Sequence, residues 1–171
     1  MLIKAVLGKT PQYGNACYFS ENATLIGDVV MGDFCSVWFN AVVRGDVNYI
    51  KIGNKVNIQD GAIIHCTYQK HPTKIGNNVS IGHNAMIHGC QIHDNVLIGM
   101  GAIVMDGCVV ESNVIVAAGA VVTQYSTLES GYLYAGIPAK KIKPLDQNLI
   151  TGEIERIADN YIKYASWYRE D

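Results

Sequence analysis

Large aliphatic residues return along this chain with a period of six. Ile92, Ile98, Val104, Val110, Val116 and Val122 fall at strict intervals, and upstream triplets keep the same step: Ile75, Ile81, Ile87, then Ile52, Ile58, Ile64, then Met31, Val37, Val43. Between triplets the frame slips. Four residues after most of these anchors stands a small or β-branched residue, among them Cys35, Ala41, Ala62, Ala85, Ala102, Cys108 and Ala120, so each hexad carries two inward positions. The residue just after the anchor is often glycine, as at Gly32, Gly53, Gly76, Gly82 and Gly99, which is expected where the backbone turns or meets a neighbour closely. Each hexad reads as a short strand plus a corner. One hexad cannot bury its apolar side, but three can wrap a triangular coil of about eighteen residues whose interior the next coil closes. The pattern predicts an all-β solenoid.

After Pro138 the period changes. Ile150, Ile154, Ile157, Tyr161, Ala165 and Tyr168 are spaced by three or four, the signature of an amphipathic helix that covers a flank or end of the solenoid. Glu153, Glu155 and Asp159 make its polar side acidic, which argues against a membrane surface. Composition agrees with strands: isoleucine and valine total 37 against 8 leucines. The 171 residues suffice for one domain, and with 49% apolar against 16% charged residues, self-association is expected. Thirteen basic and fifteen acidic residues, with no basic cluster beyond Lys140-Lys141-x-Lys143, exclude a nucleic-acid footprint. The longest apolar run, Val114 to Val122, is about half of the roughly 20 residues a membrane span needs. Gly8, Lys9 and Pro11 interrupt the N-terminal apolar run before a signal peptide can form, and five cysteines without a CxxC pair fit reduced thiols, so the expected location is the cytoplasm.

Position in the repeat sorts the five histidines. His65 follows anchor Ile64 and His88 follows anchor Ile87, so the two hold the same place in adjacent coils. Coils about 4.8 Å apart let two imidazoles converge on one ion at roughly 2.0–2.1 Å from each nitrogen. His83 stands second after Ile81, on the preceding face, and the intervening extended chain spans roughly 15 Å. A neighbouring copy in a threefold assembly can supply such a histidine, giving three imidazoles with an open fourth position. Cys66 and Cys90 beside these residues, and Cys35 and Cys108 on inward positions, read as packing.

The hexads resemble the left-handed parallel β-helix family over about residues 23 to 140, and that resemblance supplies the handedness. It implies about five coils in residues 1–140, with an N-terminal cap, followed by a C-terminal α-helix in 141–171. More closely, Val43-Arg-Gly-Asp-Val, Asn57-Ile-Gln-Asp-Gly, Ile64-His65 and Ile81-Gly-His83-x4-His88-Gly resemble the γ-class carbonic anhydrases and their bacterial relatives. The resemblance implies a homotrimer that hydrates carbon dioxide reversibly to bicarbonate with a metal-bound hydroxide. The ion that the resemblance implies is zinc, with iron(II) or cobalt(II) as alternatives, and the implied ligands match His65, His83 and His88. It also implies that Gln59, with Asn57 beside it, orients the nucleophile, that Arg44, Asp46 and Asp60 pair charges near the subunit boundary, and that Tyr161 lies near the site.

Two positions depart from the pattern. Val47 stands where the best-known member has an active-site glutamate, and the loop Thr67-Tyr-Gln-Lys-His-Pro-Thr-Lys74 has no carboxylate. His71 in that loop is the candidate substitute for the missing proton shuttle, with a reference pKa of about 6.5. Two other function classes follow from related proteins: an acyl-CoA thioesterase or hexapeptide acyltransferase, and a metal-binding assembly protein without turnover.

Overall fold

The computed structural model describes residues 1–168. It is a parallel β-solenoid of about seven turns with a C-terminal helix. Each turn is triangular. One face stacks the first parts of Thr24–Met31 and Val42–Ile52 with Ile63–His65, Met86–His88, Ile103–Val104 and Val121–Val122. The second face takes the remainder of those two long strands and continues through Thr73–Ile75, Gln91–Ile92, Val109–Val110 and Thr127–Leu128. The third stacks Tyr18–Phe19, Ser36–Val37, Asn57–Ile58, Val79–Ile81, Val96–Ile98, Val114–Val116 and Tyr132–Ala135.

The sequence pattern implied about five coils, and the chain makes about seven. At the start, Leu2–Lys4 pairs with Thr24–Met31 and Tyr18–Phe19 with Ser36–Val37, without visible hexads. A terminal rung has one neighbour rather than two, which relaxes the demand for a β-branched anchor there.

Anchors stack on anchors. Val43, Ile64, Ile87, Val104 and Val122 form one buried column, with Ala41, Ala62, Ala85, Ala102 and Ala120 leaving room at the corners. Each large anchor contributes about 1.5–3 kcal/mol by leaving water. Corners are made by residues in the left-handed region, and asparagine serves repeatedly, at Asn40, Asn78, Asn84, Asn95 and Asn113. Its short polar side chain tolerates that conformation better than most. Glycine after the anchor answers a different need. A Cβ on Gly82 would stand 2.7 Å from the backbone nitrogen of Met100 on the next rung.

The last rung is closed by a reversal: Lys140–Pro144 runs antiparallel to Tyr132–Ala135. Part of the segment assigned to the C-terminal helix is therefore strand, and helical structure begins at Gln147–Leu149. A wide π-type turn over Ile150–Glu155 leads into the main helix, Arg156–Trp167. The helix lies across the third face and buries Ile154, Ala158 and Ala165. No helix among the described residues is long and apolar enough to cross a membrane.

Candidate functional site

His65 and His88 are direct partners in parallel strands, as their shared place in the repeat requires. Their rings meet with His65 Nδ1 3.1 Å from His88 Nε2. The outer nitrogen of each ring is held by a carboxylate: His65 Nε2 lies 3.0 Å from Asp46 Oδ1, and His88 Nδ1 lies 2.7 Å from Asp106 Oδ1. Asp46 also receives Arg44 Nη1 at 2.6 Å, and Asp106 receives the Thr67 hydroxyl at 2.8 Å. Burial alone would raise both carboxyls, but these hydrogen bonds outweigh it and hold both below the usual aspartate range. Desolvation, helped by the charge of Arg44, lowers the pKa of His65 against the pull of Asp46, which favours a neutral ring.

The tautomers follow. A carboxylate accepts only, so the ring nitrogen facing it carries the proton, and the inner nitrogen of each ring presents a lone pair. Two lone pairs aimed at each other across 3.1 Å repel unless a cation or proton lies between them. Two nitrogens sharing a zinc at roughly 2.0–2.1 Å across a tetrahedral angle stand about 3.3 Å apart. Carboxylates anchoring the outer N–H of ligand imidazoles are the usual second layer of a metal site. The donor set therefore fits a divalent ion.

His83 follows strand Val79–Ile81 on the third face, away from this pair. Its Nδ1 is 2.8 Å from Asp60 Oδ2 and its Nε2 is 3.4 Å from the Tyr161 hydroxyl, so its Nε2 is likewise oriented by a carboxylate on the far side of the ring. Burial, reinforced by Asp60, pushes the Tyr161 hydroxyl up to about 12, so the phenol stays protonated. Gln59 donates to Asn57 Oδ1 at 2.9 Å, and Asn57 donates to Ser80 Oγ at 2.7 Å, which fixes both amides. Gln59, His83, Glu153 and Tyr161 line a cavity of about 400 Å³ under the helix. The sequence-derived residues thus form two groups within one chain: Arg44, Asp46, His65 and His88 on the first face, and Asn57, Gln59, Asp60, His83 and Tyr161 on the third. Among the described residues, no three histidine, cysteine, aspartate or glutamate side chains converge as a metal-holding group.

One functional residue escaped sequence reasoning. Asp106 lies eighteen positions, one coil, beyond His88, and that spacing was the available signal. Burial raises the Cys66 thiol to about 11 and that of Cys90 further, which keeps both protonated at neutral pH, and both pack in the core. Val47 packs against the core. His71, the candidate proton shuttle, does not present its outer ring nitrogen to solvent. Instead its ring lies edge-on to Tyr125, centroids 5.7 Å apart, and its Nε2 is buried without a hydrogen-bond partner among the described residues. The tight Thr67–His71 turn pulls it inward.

A family model for the bacterial transferase hexapeptide, six repeats, matches residues 72–102 and 89–124. A probable carbonic anhydrase of Methanocaldococcus jannaschii is 48% identical over 85% of this chain and 89% of its own length. A carbonic anhydrase of Geobacillus kaustophilus is 43% identical over 95% and 88%. The chain belongs to the γ-carbonic anhydrase-like family of hexapeptide-repeat proteins. Within that family of folds, a hexapeptide transferase family protein from Anaplasma phagocytophilum superposes with a TM-score of 0.92 at 36% identity, covering 98% of both chains. The γ-carbonic anhydrase-like assignment and the transferase-named neighbour share the solenoid. In this chain two imidazoles face each other on that solenoid.

Proposed function

We propose that the protein is a metal-dependent carbonic anhydrase that interconverts carbon dioxide and bicarbonate at a site shared between copies of a homotrimer. The observation that carries this reading is the His65–His88 pair, two lone pairs 3.1 Å apart with carboxylates behind both rings. His65 and His88 of one copy and His83 of the next would hold the ion. Bound in this way, a divalent metal would lower the pKa of a coordinated water to about 7 and so supply a nucleophile at neutral pH.

The other residues orient and exclude. Gln59, its amide turned by Asn57, presents a polar group beside His83 that can hold an oxygen of substrate or product. Asp46 and Asp106 fix the ring tautomers, and Arg44 keeps Asp46 ionised and in place. Tyr161, protonated, offers a hydroxyl at His83. The first face supports assembly. Beside the histidine pair, Val42, Ile63, Met86, Ile103 and Val121 form an outward apolar column, with Ile63 and Met86 39% and 40% exposed. Such a stripe calls for a covering partner, and another copy carrying His83 completes the ligand set.

The test is a metal analysis of protein purified without air, followed by carbon dioxide hydration with and without a chelator. One stoichiometric ion per chain and chelator-sensitive hydration support the proposal, and protein that binds no divalent metal sinks it. Acyl chemistry is the second reading, favoured by the transferase-named structural neighbour. Hydrolysis or transfer of an acyl-CoA under the same conditions would select it.

Two outcomes follow from the surroundings of the pair. Asp106→Ala should weaken metal binding about 10–100-fold, the usual cost of removing a carboxylate behind a ligand histidine, as measured by competition with a chromophoric chelator. His71→Ala should leave the dependence of hydration rate on buffer concentration unchanged, because the buried Nε2 does not meet solvent. A flattened buffer dependence would return the proton-shuttle role to His71.

A further inference from the structure

A second pocket lies where the end of the C-terminal helix meets the third face, and it shares Asp60 and Tyr161 with the surroundings of His83. Its cavity of about 280 Å³ is walled by Trp38, Phe39, Tyr161, Trp167 and Tyr168, with Asp60 as its charged group. No described lining residue is cationic.

The floor is fixed. Trp38 is 5% exposed, its indole N–H donates to Ser36 Oγ at 2.9 Å, and Tyr18 packs against it at 5.0 Å between centroids. Tyr161 and Tyr168 pack nearly perpendicular to the Trp38 ring at 5.2 and 5.6 Å between centroids, and all three rings line the cavity. The rim is open. Trp167 and Tyr168 are about half exposed, a large aromatic surface to leave in water. Asp60 gives Oδ2 to His83, and no hydrogen bond to its Oδ1 is made among the described residues.

Aromatic faces and a single carboxylate select for positive charge with an apolar skin. A cation within about 6 Å of a ring centroid gains from the negative face, most strongly over tryptophan. A neutral apolar ligand would strip water from Asp60 without pairing it, which disfavours such an occupant. A strongly hydrated inorganic ion would gain little from the rings. We propose that this pocket binds a small organic ammonium ion, of the trimethylammonium type, between the aromatic walls and Asp60. The proposal does not depend on the metal site, since it needs neither the ion nor a turnover.

Both tryptophans of the chain line the pocket, so intrinsic fluorescence reports its occupancy. The purified protein is titrated with choline and with tetramethylammonium chloride at constant ionic strength, and in parallel with 3,3-dimethyl-1-butanol, the uncharged isostere of choline. The expected result is a saturable change with both cations and binding of the alcohol at least about tenfold weaker. Asp60→Asn should weaken choline by about tenfold or more, and Trp167→Leu, at the exposed rim, by several-fold while Trp38 still reports. No saturable change, equal binding of the alcohol, or unchanged affinity in Asp60→Asn would overturn the assignment. Should Asp60→Asn fail to fold, Trp167→Leu and Tyr168→Ala decide in its place, and unchanged affinity in both rejects the site.

Discussion

His88→Ala is expected to strip the protein of its metal and to reduce carbon dioxide hydration to the rate of buffer, while the thermal transition moves little. The reasoning is local. His88 is half-exposed and makes its contacts to His65 and Asp106 rather than to the core, so truncation removes ligand chemistry without opening a cavity. One imidazole fewer leaves an ion held by two nitrogens from different chains. Metal content by mass spectrometry of the native assembly, read beside a hydration assay, checks this outcome. Full metal occupancy in the variant would mean that the ion sits elsewhere.

The second large effect concerns assembly. Met86→Glu should convert the proposed trimer to monomer and abolish metal binding with it, although residue 86 is no proposed ligand. In the separate chain Met86 is 40% exposed, so a glutamate there costs little, within about 0.5 kcal/mol for a surface change. In an assembly that covers the apolar column, the same carboxylate would be buried without a partner, at a cost of several kcal/mol per copy. Sedimentation velocity of the variant and of Lys4→Glu, whose site lies on the first rung in the neighbouring row, in register with Ile26 and Arg44, separates the two cases. A trimeric Met86→Glu protein would remove the column from the interface.

Much of the fold was written in the hexads, because burying one side chain per rung in a fixed column imposes a strict period. Where a rung is terminal that constraint lapses, and the strands at Leu2–Lys4 and Lys140–Pro144 left no comparable mark. The alignment of His65 with His88 was legible for the same reason as the anchors: parallel rungs repeat a place. Asp106 was hidden because Asp106-Gly107 also reads as an ordinary corner, and only the histidine beneath gives it another meaning. The inward turn of His71 came from a short loop whose packing on Tyr125 spans more than fifty residues, a contact no local pattern carries. The wide turn at Ile150–Glu155 likewise answers to the sheet beneath it rather than to helical spacing.

A stack of parallel rungs has no natural end, since its last strand offers bare N–H and C=O groups to any chain that can extend it. Here the final strand reverses, and Lys140, Lys141 and Lys143 line it, with Lys141 tied down to Glu129 at 2.6 Å and lying 4.1 Å over the ring of Tyr132. Positive charge and the reversed strand at that terminus make head-to-tail polymerisation through it unfavourable.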